Sequence, residues 1–317
     1  MNPLLLRQQM EAYLALRAAL GFQVQATRLL LQDFLRYVET QAVTFPLRAQ
    51  VAIDWACDQA VPRGAATQVQ RLSILRGFLA FLRASEPATE IPDHRLLATP
   101  KRPTPFLFTP TQITQLLREV AQMKPAQSLR PHAWCALLGL LASTGLRVGE
   151  VCRLQMSDLQ LATPPAYLQV LATKFRKSRL VPLHPSTVIA LQAYLERRKM
   201  LGYTALSEAV FITEGGKPFQ PRTLWRTFKR LTKRSGIVAL AANRQPTLHS
   251  LRHTFAVQRL CEWYRAGLDV QSLVPQLSVY LGHVRPQESY WYLTATPELL
   301  GAAALRFAQY ANLGGDQ

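Results

Sequence analysis

Cysteine is scarce in this 317-residue chain: Cys57, Cys135, Cys152 and Cys261 are the four, and no two form a CxxC pair. That excludes a disulfide scaffold and leaves reduced structural thiols as the expected state. The 15 glycines show no period, so a collagen-like repeat is excluded. Apolar runs are broken by Arg, Gln or Thr before they reach the ~20 residues that cross a bilayer. Met1–Arg7 lacks the features of a secretory signal. A soluble, intracellular protein without membrane contact is the expectation. No G-x-x-x-x-G-K-[ST] sequence and no Asp/Glu cluster is present. His249 and His253 stand four apart, but Ser250 follows His249, so the glutamate of H-E-x-x-H is missing. Neither a metal nor a nucleotide cofactor is expected.

Acid is the other shortage. Asp and Glu number 19 against 37 Lys and Arg, a net charge of +18. The excess is uneven. Residues 1–100 hold 10 basic and 8 acidic residues, whereas residues 101–317 hold 27 and 11. Self-repulsion of that size is relieved by a polyanion, and nucleic acid is the leading candidate. Hydrophobic residues make up 49% of the chain, enough for a packed core.

The periodicity predicts a mainly helical protein. Pro3–Leu20, Gln23–Thr40, a segment capped by Thr44 and running to Asp58, and Ala65–Ala84 read as a four-helix bundle. The first helix carries Leu4, Leu5, Leu14, Leu16 and Leu20 with Arg and Gln between them, and the second repeats the pattern with Leu29, Leu30, Phe34 and Val38 at helical spacing. Six of the 21 prolines fall between Glu86 and Pro110, which reads as an extended linker with Lys101 and Arg102 placed to meet phosphate. The expected domains are residues 1–95, a linker 96–106, and 107–317. The second domain reads as helices at Thr111–Met123, His132–Ser143, Ser186–Met200, Arg222–Ser235, Ser250–Trp263, Val270–Leu281 and Pro297–Ala311. Two short strands, Ala166–Ala172 and Arg179–Leu183, interrupt them as a hairpin.

Lys217–Arg234 carries seven basic residues and no acid. On a helix, Arg222, Arg226, Lys229, Arg230 and Lys233 form a stripe that tracks phosphates, while Leu224, Trp225, Phe228 and Leu231 turn to the core.

Four further segments each bring a cation or a proton carrier. They are Thr144-Gly-Leu-Arg-Val-Gly-Glu150, the hairpin Thr173-Lys-Phe-Arg-Lys-Ser178, Leu248-His-Ser-Leu-Arg-His253, and Leu281-Gly-His283 with Tyr292 nine residues on. Alone, each has a structural reading: Arg147 paired with Glu150, Lys174 as a solvated turn, His249 and Arg252 as caps, His283 as a helix stop. Jointly and in this order, the set resembles the tyrosine recombinases, or phage integrases, across residues 106–300.

The resemblance implies a SAM-like core-binding domain ahead of a mostly helical catalytic domain with a small β-sheet. It implies Arg147, Lys174, His249, Arg252, His283 and Tyr292 as the active site. Lys177, in the same basic hairpin turn, is a further expected DNA contact. The resemblance also implies a mobile-element integrase on paired duplex sites as a DNA-bound homotetramer, with unknown accessory proteins and a nucleoid-associated, cytoplasmic location. The implied chemistry is cleavage and rejoining through a 3′-phosphotyrosyl link. Two arginines clamp the phosphate oxygens, imidazoles exchange protons, and a lysine protonates the leaving 5′ oxygen. The phosphotyrosine retains the bond energy, so no cofactor is implied. A type IB topoisomerase-like nicking-closing enzyme and a silent DNA-binding regulator are the alternatives.

Overall fold

The computed structural model describes residues 2–58, 64–98, 104–171, 178–239, 245–283, 285, 287–295 and 299–301. The chain divides into two compact units, residues 1–102 and 103–317. Lys101, Arg102, Lys174 and Lys177 lie outside the described residues, as does the expected helix Pro297–Ala311 apart from residues 299–301.

The first unit contains α1 (Pro3–Ala19), α2 (Gln25–Thr40), α3 (Ala49–Cys57) and α4 (Ala65–Leu82). The buried face of α1 is Leu6, Met10, Tyr13 and Leu14, while Leu4, Leu5, Leu16 and Leu20 are exposed. Leu29 is likewise exposed, and α2 buries Leu31, Phe34, Leu35 and Val38. Steps of three and four from Leu6 and from Leu31 keep one helix face, so Leu14, Phe34 and Val38 are buried as expected while the leucines off that face are not. The third helix starts at Ala49 and not beside Thr44, because its first amide is met from afar: Glu90 accepts from Ala49 N at 2.9 Å and from Arg48 at 2.7 Å. Glu90 belongs to the proline-rich run read as extended. Residues 86–98 of that run fold onto the first unit, with Arg76 donating to the Pro92 and Asp93 carbonyls and Ile91 and Leu97 against the core.

The second unit contains α5 (Pro110–Ala121), α6 (Leu129–Thr144), α7 (Val148–Val151), β1 (Leu159–Gln160), β2 (Tyr167–Val170), β3 (Arg179–Pro182), α8 (Pro185–Met200), α9 (Pro221–Arg234), α10 (Leu248–Arg265), α11 (Val270–Leu281) and α12 (Gln287–Ala295). Strand β2 is central and antiparallel to both neighbours, with Leu168 opposite Leu159 and Val181. The mainly helical fold with a small sheet matches the expectation; β1, α7 and α12 were not foreseen. Helix α6 is apolar on nearly every side and accordingly buried, against α5, α8 and α10. It is the post around which the site is arranged. Phe106 and Phe108, at the far end of the proline-rich run, are core residues of this unit.

Candidate active site

Helix α6 ends at Gly145, whose φ of +62° lies in the left-handed region. A β-carbon there would come within 2.7 Å of Phe255 Cδ1, so glycine is required twice over. The turn sends the chain into Arg147 at the start of α7. Arg147 donates from Nη1 to Glu150 Oε1 at 2.9 Å and from Nη2 to the Gly282 carbonyl at 2.8 Å. The ion pair with Glu150 is therefore real, and it holds the guanidinium beside the other site residues.

Arg252 comes from α10, which opens on a capping box of Thr247 and Ser250. It is 1% exposed and donates to the Gly145 carbonyl at 2.8 Å and the Leu281 carbonyl at 2.7 Å. Arg147 and Arg252 thus rest on the consecutive carbonyls of Gly282 and Leu281. Burial and the neighbouring Arg147 charge lower the Arg252 pKa to about 10, which leaves it cationic at neutral pH.

Glu150 is the hub beneath them. It takes Arg179 Nη2 on Oε2 at 2.9 Å and Nη1 on Oε1 at 3.2 Å, while the Arg147 amide donates to Oε2 at 3.0 Å. Burial alone pushes this carboxyl up. The Arg179 hydrogen bonds and charge, with those of Arg147, outweigh it and hold the pKa at about 2. Arg179 also donates from Nε to the Tyr280 carbonyl at 2.7 Å, which ties strand β3 to the end of α11. Gly282 lets it approach: a β-carbon there would lie 2.6 Å from Arg179 Nη1.

His283 follows the left-handed Gly282, and its amide closes the helix end on Ser278 O at 2.9 Å. Its Nδ1 lies 2.6 Å from Ser289 Oγ, and Ser278 Oγ donates to that same oxygen at 2.6 Å. Ser289 has one proton, and the chain of donors directs it to His283 Nδ1. A neutral His283 then carries its own proton on Nε2, as a donor.

Tyr292, on α12, is 2% exposed, with its ring 6.3 Å from and nearly parallel to His283. Its hydroxyl lies 2.9 Å from His253 Nδ1. Tyr290, two residues earlier and so ~200° around the helix, is 41% exposed. Trp291 packs on His253 at 5.7 Å. His249 is exposed and meets the His253 ring edge-on at 4.5 Å.

The structure therefore gathers Arg147, His249, Arg252, His283 and Tyr292 in one place. Sequence reasoning passed over Arg179, His253, Ser278 and Ser289, and took Glu150 only as a structural partner for Arg147. Spacing carried some signal for Glu150, three residues after Arg147, and for His253, one turn after His249. Arg179 and the serines had none, since their partners lie on other elements.

Helix α9 presents Arg222, Arg226, Lys229, Arg230 and Lys233 to solvent, with Leu224, Phe228 and Leu231 buried. Trp225 departs from the expected core face. It is 50% exposed beside the stripe, with Lys229 Nζ 5.5 Å above its ring. Its position one turn before Lys229 puts it on the basic side. Among the described residues, no three His, Cys, Asp or Glu gather as metal ligands would, and no helix is long and apolar enough to cross a membrane.

The sequence profile of the phage integrase family matches residues 107–298. A putative integrase/recombinase, y4rB, of Sinorhizobium fredii is 36% identical over 95% of this chain and 96% of its own length. Among solved structures, the XerH site-specific recombinase bound to palindromic difH substrate aligns with a TM-score of 0.68, 17% identity, and 94% of this chain against 84% of its own. A lambda integrase tetramer bound to a Holliday junction aligns with a TM-score of 0.64, 19% identity, and coverage of 90% and 76%.

Proposed function

The chain belongs to the phage integrase family and is a tyrosine site-specific recombinase; from that premise we propose how its own residues break and rejoin DNA. Tyr292 attacks the scissile phosphorus, forming a 3′-phosphotyrosyl bond and releasing the 5′ oxygen. Arg147 and Arg252 meet the phosphate oxygens that gain charge during attack. Preorganised donors of this kind contribute ~3–4 kcal/mol each. The Nε2–H of His283 adds a further donor, and His249, open to solvent, supplies a second imidazole. Lys174 protonates the 5′ oxygen. Joining a new 5′-hydroxyl reverses each step, so the bond energy is conserved without a cofactor.

The observation that carries this reading is the shared footing of the two arginines on the Leu281 and Gly282 carbonyls, with Tyr292 beside them. The exposed cations of α9 lie along duplex phosphates, with Lys101, Arg102 and Lys177 as further contacts. The first unit closes on the duplex as a core-binding domain. Paired sites are handled by a homotetramer, as in the lambda integrase junction complex, and a nucleoid location follows from that partner.

A nicked suicide substrate tests the assignment. Tyr292→Phe should bind DNA and form no covalent adduct, while Tyr290→Phe should still form one. An adduct mapped by peptide sequencing to any residue but Tyr292 would overturn the reading. Synapsis of two sites separates recombination from simple nicking and closing.

A further inference from the structure

An α-helix leaves its last carbonyls without partners inside the helix, and at the end of α11 each is met in turn. The amides of His283 and Gly282 fold back onto Ser278 O and Val279 O, both at 2.9 Å. The next three carbonyls each take one guanidinium. Tyr280 O accepts from Arg179 Nε at 2.7 Å, Leu281 O from Arg252 Nη2 at 2.7 Å, and Gly282 O from Arg147 Nη2 at 2.8 Å. The negative end of the helix thus gathers three cations, brought by β3, α10 and the start of α7. Arg147 and Arg252 form the phosphate clamp. Arg179 faces the other way: besides Nε on Tyr280 O, its Nη1 and Nη2 lie on the two Glu150 oxygens at 3.2 and 2.9 Å. Its side chain is 8% exposed, against 30% for Arg147. We infer that Arg179 is a positioning residue for strand cleavage: it locks Glu150 against the end of α11, so that Arg147 and Arg252 stand where a phosphate meets both. The inference rests on those two arginines being the clamp.

Two features give Arg179 that reach. Glu150 takes Arg147 Nη1 on Oε1 and the Arg147 amide on Oε2, the same two oxygens that hold Arg179. The planar fork of Arg179 therefore sets the plane of the carboxylate, and Arg147 follows that plane at both oxygens. Gly282 is the second feature. Its left-handed φ of +68° and missing side chain let Arg179 pass beneath it, where a β-carbon would lie 2.6 Å from Nη1. The same glycine offers its carbonyl to Arg147 and leads into His283, so a shift of Arg179 moves carboxylate, guanidinium and imidazole together. Misplacement by about 1 Å in such a set costs up to ~10²-fold in rate. A lysine at this position keeps a charge beside Glu150 but has no fork to hold both oxygens and the Tyr280 carbonyl in one fixed geometry.

The test uses the full chain, a nicked suicide duplex, and the same duplex with a neutral methylphosphonate at the scissile position. There a methyl group replaces one non-bridging oxygen, so less charge develops and the arginine clamp matters less. At saturating protein, Arg179→Met should cleave the ordinary phosphodiester about 10- to 10²-fold more slowly than the wild type. On the methylphosphonate its deficit should shrink to a few-fold, as should that of Arg147→Ala. A general loss of folded protein would slow both substrates equally. Cleavage of the phosphodiester within a few-fold of wild type would overturn the inference, as would an equal deficit on both substrates. Rescue by a bridging 5′-thio substrate, whose leaving group needs no acid, would also overturn it, because Arg179 would then act on the leaving oxygen and not on the clamp. Should Arg179→Met fail to fold, Arg179→Lys decides by the same comparison. Wild-type cleavage by Arg147→Ala would instead refute the clamp itself.

Discussion

Glu150 is buried, yet it holds a full negative charge between two arginines. Its pKa of about 2 lies below the usual 4.5. The ionised form therefore adds stability that is fully present above about pH 4.5 and is lost as the pH falls through about 2. The shift corresponds to roughly 3 kcal/mol. Glu150→Gln should melt well below the wild type at neutral pH, because Arg179 is left buried without a counter-charge. The gap should narrow steadily between pH 4.5 and 2.5, and a gap constant across that window would contradict the linkage. The residues that meet here show where sequence reading reaches its limit. Arg147 and Arg252 stand in compact motifs whose chemistry is local and therefore legible. The Arg179–Glu150 contact joins positions 29 residues apart, and the Ser278–Ser289 pair joins two helices. No local pattern encodes either, because each depends on how α11 ends against β3 and α12.

At the scale of elements, helices with strong apolar periodicity were legible, and α11 begins and ends where its sequence pattern does. Short pieces were not. Helix α7 spans four residues and β1 two, too few for a period to show. Helix α3 begins where a distant carboxylate meets its first amide, so its start is written at Glu90 and not beside it. Helix α9 is the clearest case of pattern becoming surface: its five expected cations are all exposed. Each phosphate neutralised changes the slope of log affinity against log salt by about 0.9. Arg226→Ala with Arg230→Ala should therefore reduce that slope by about 2, with folding intact because neither side chain enters the core. An unchanged slope would place the duplex elsewhere.

For the whole molecule, charge and chemistry are segregated. Nearly all the excess positive charge lies in residues 101–317, which also hold Tyr292, the proposed nucleophile. Binding should weaken by on the order of 10³-fold or more between 50 and 200 mM salt, if six or more phosphates are covered. Affinity that is flat over that range would mean recognition by shape and base contacts alone. The enclosure of Tyr292 bears on what happens while the strand is open. A phosphoester formed on a side chain walled by His253, Trp291 and His283 is one that water reaches slowly. On the proposed mechanism, the severed end then waits as a protected joint until a strand with a free 5′-hydroxyl arrives, and a programmed interruption of the duplex does not decay into a lesion for repair.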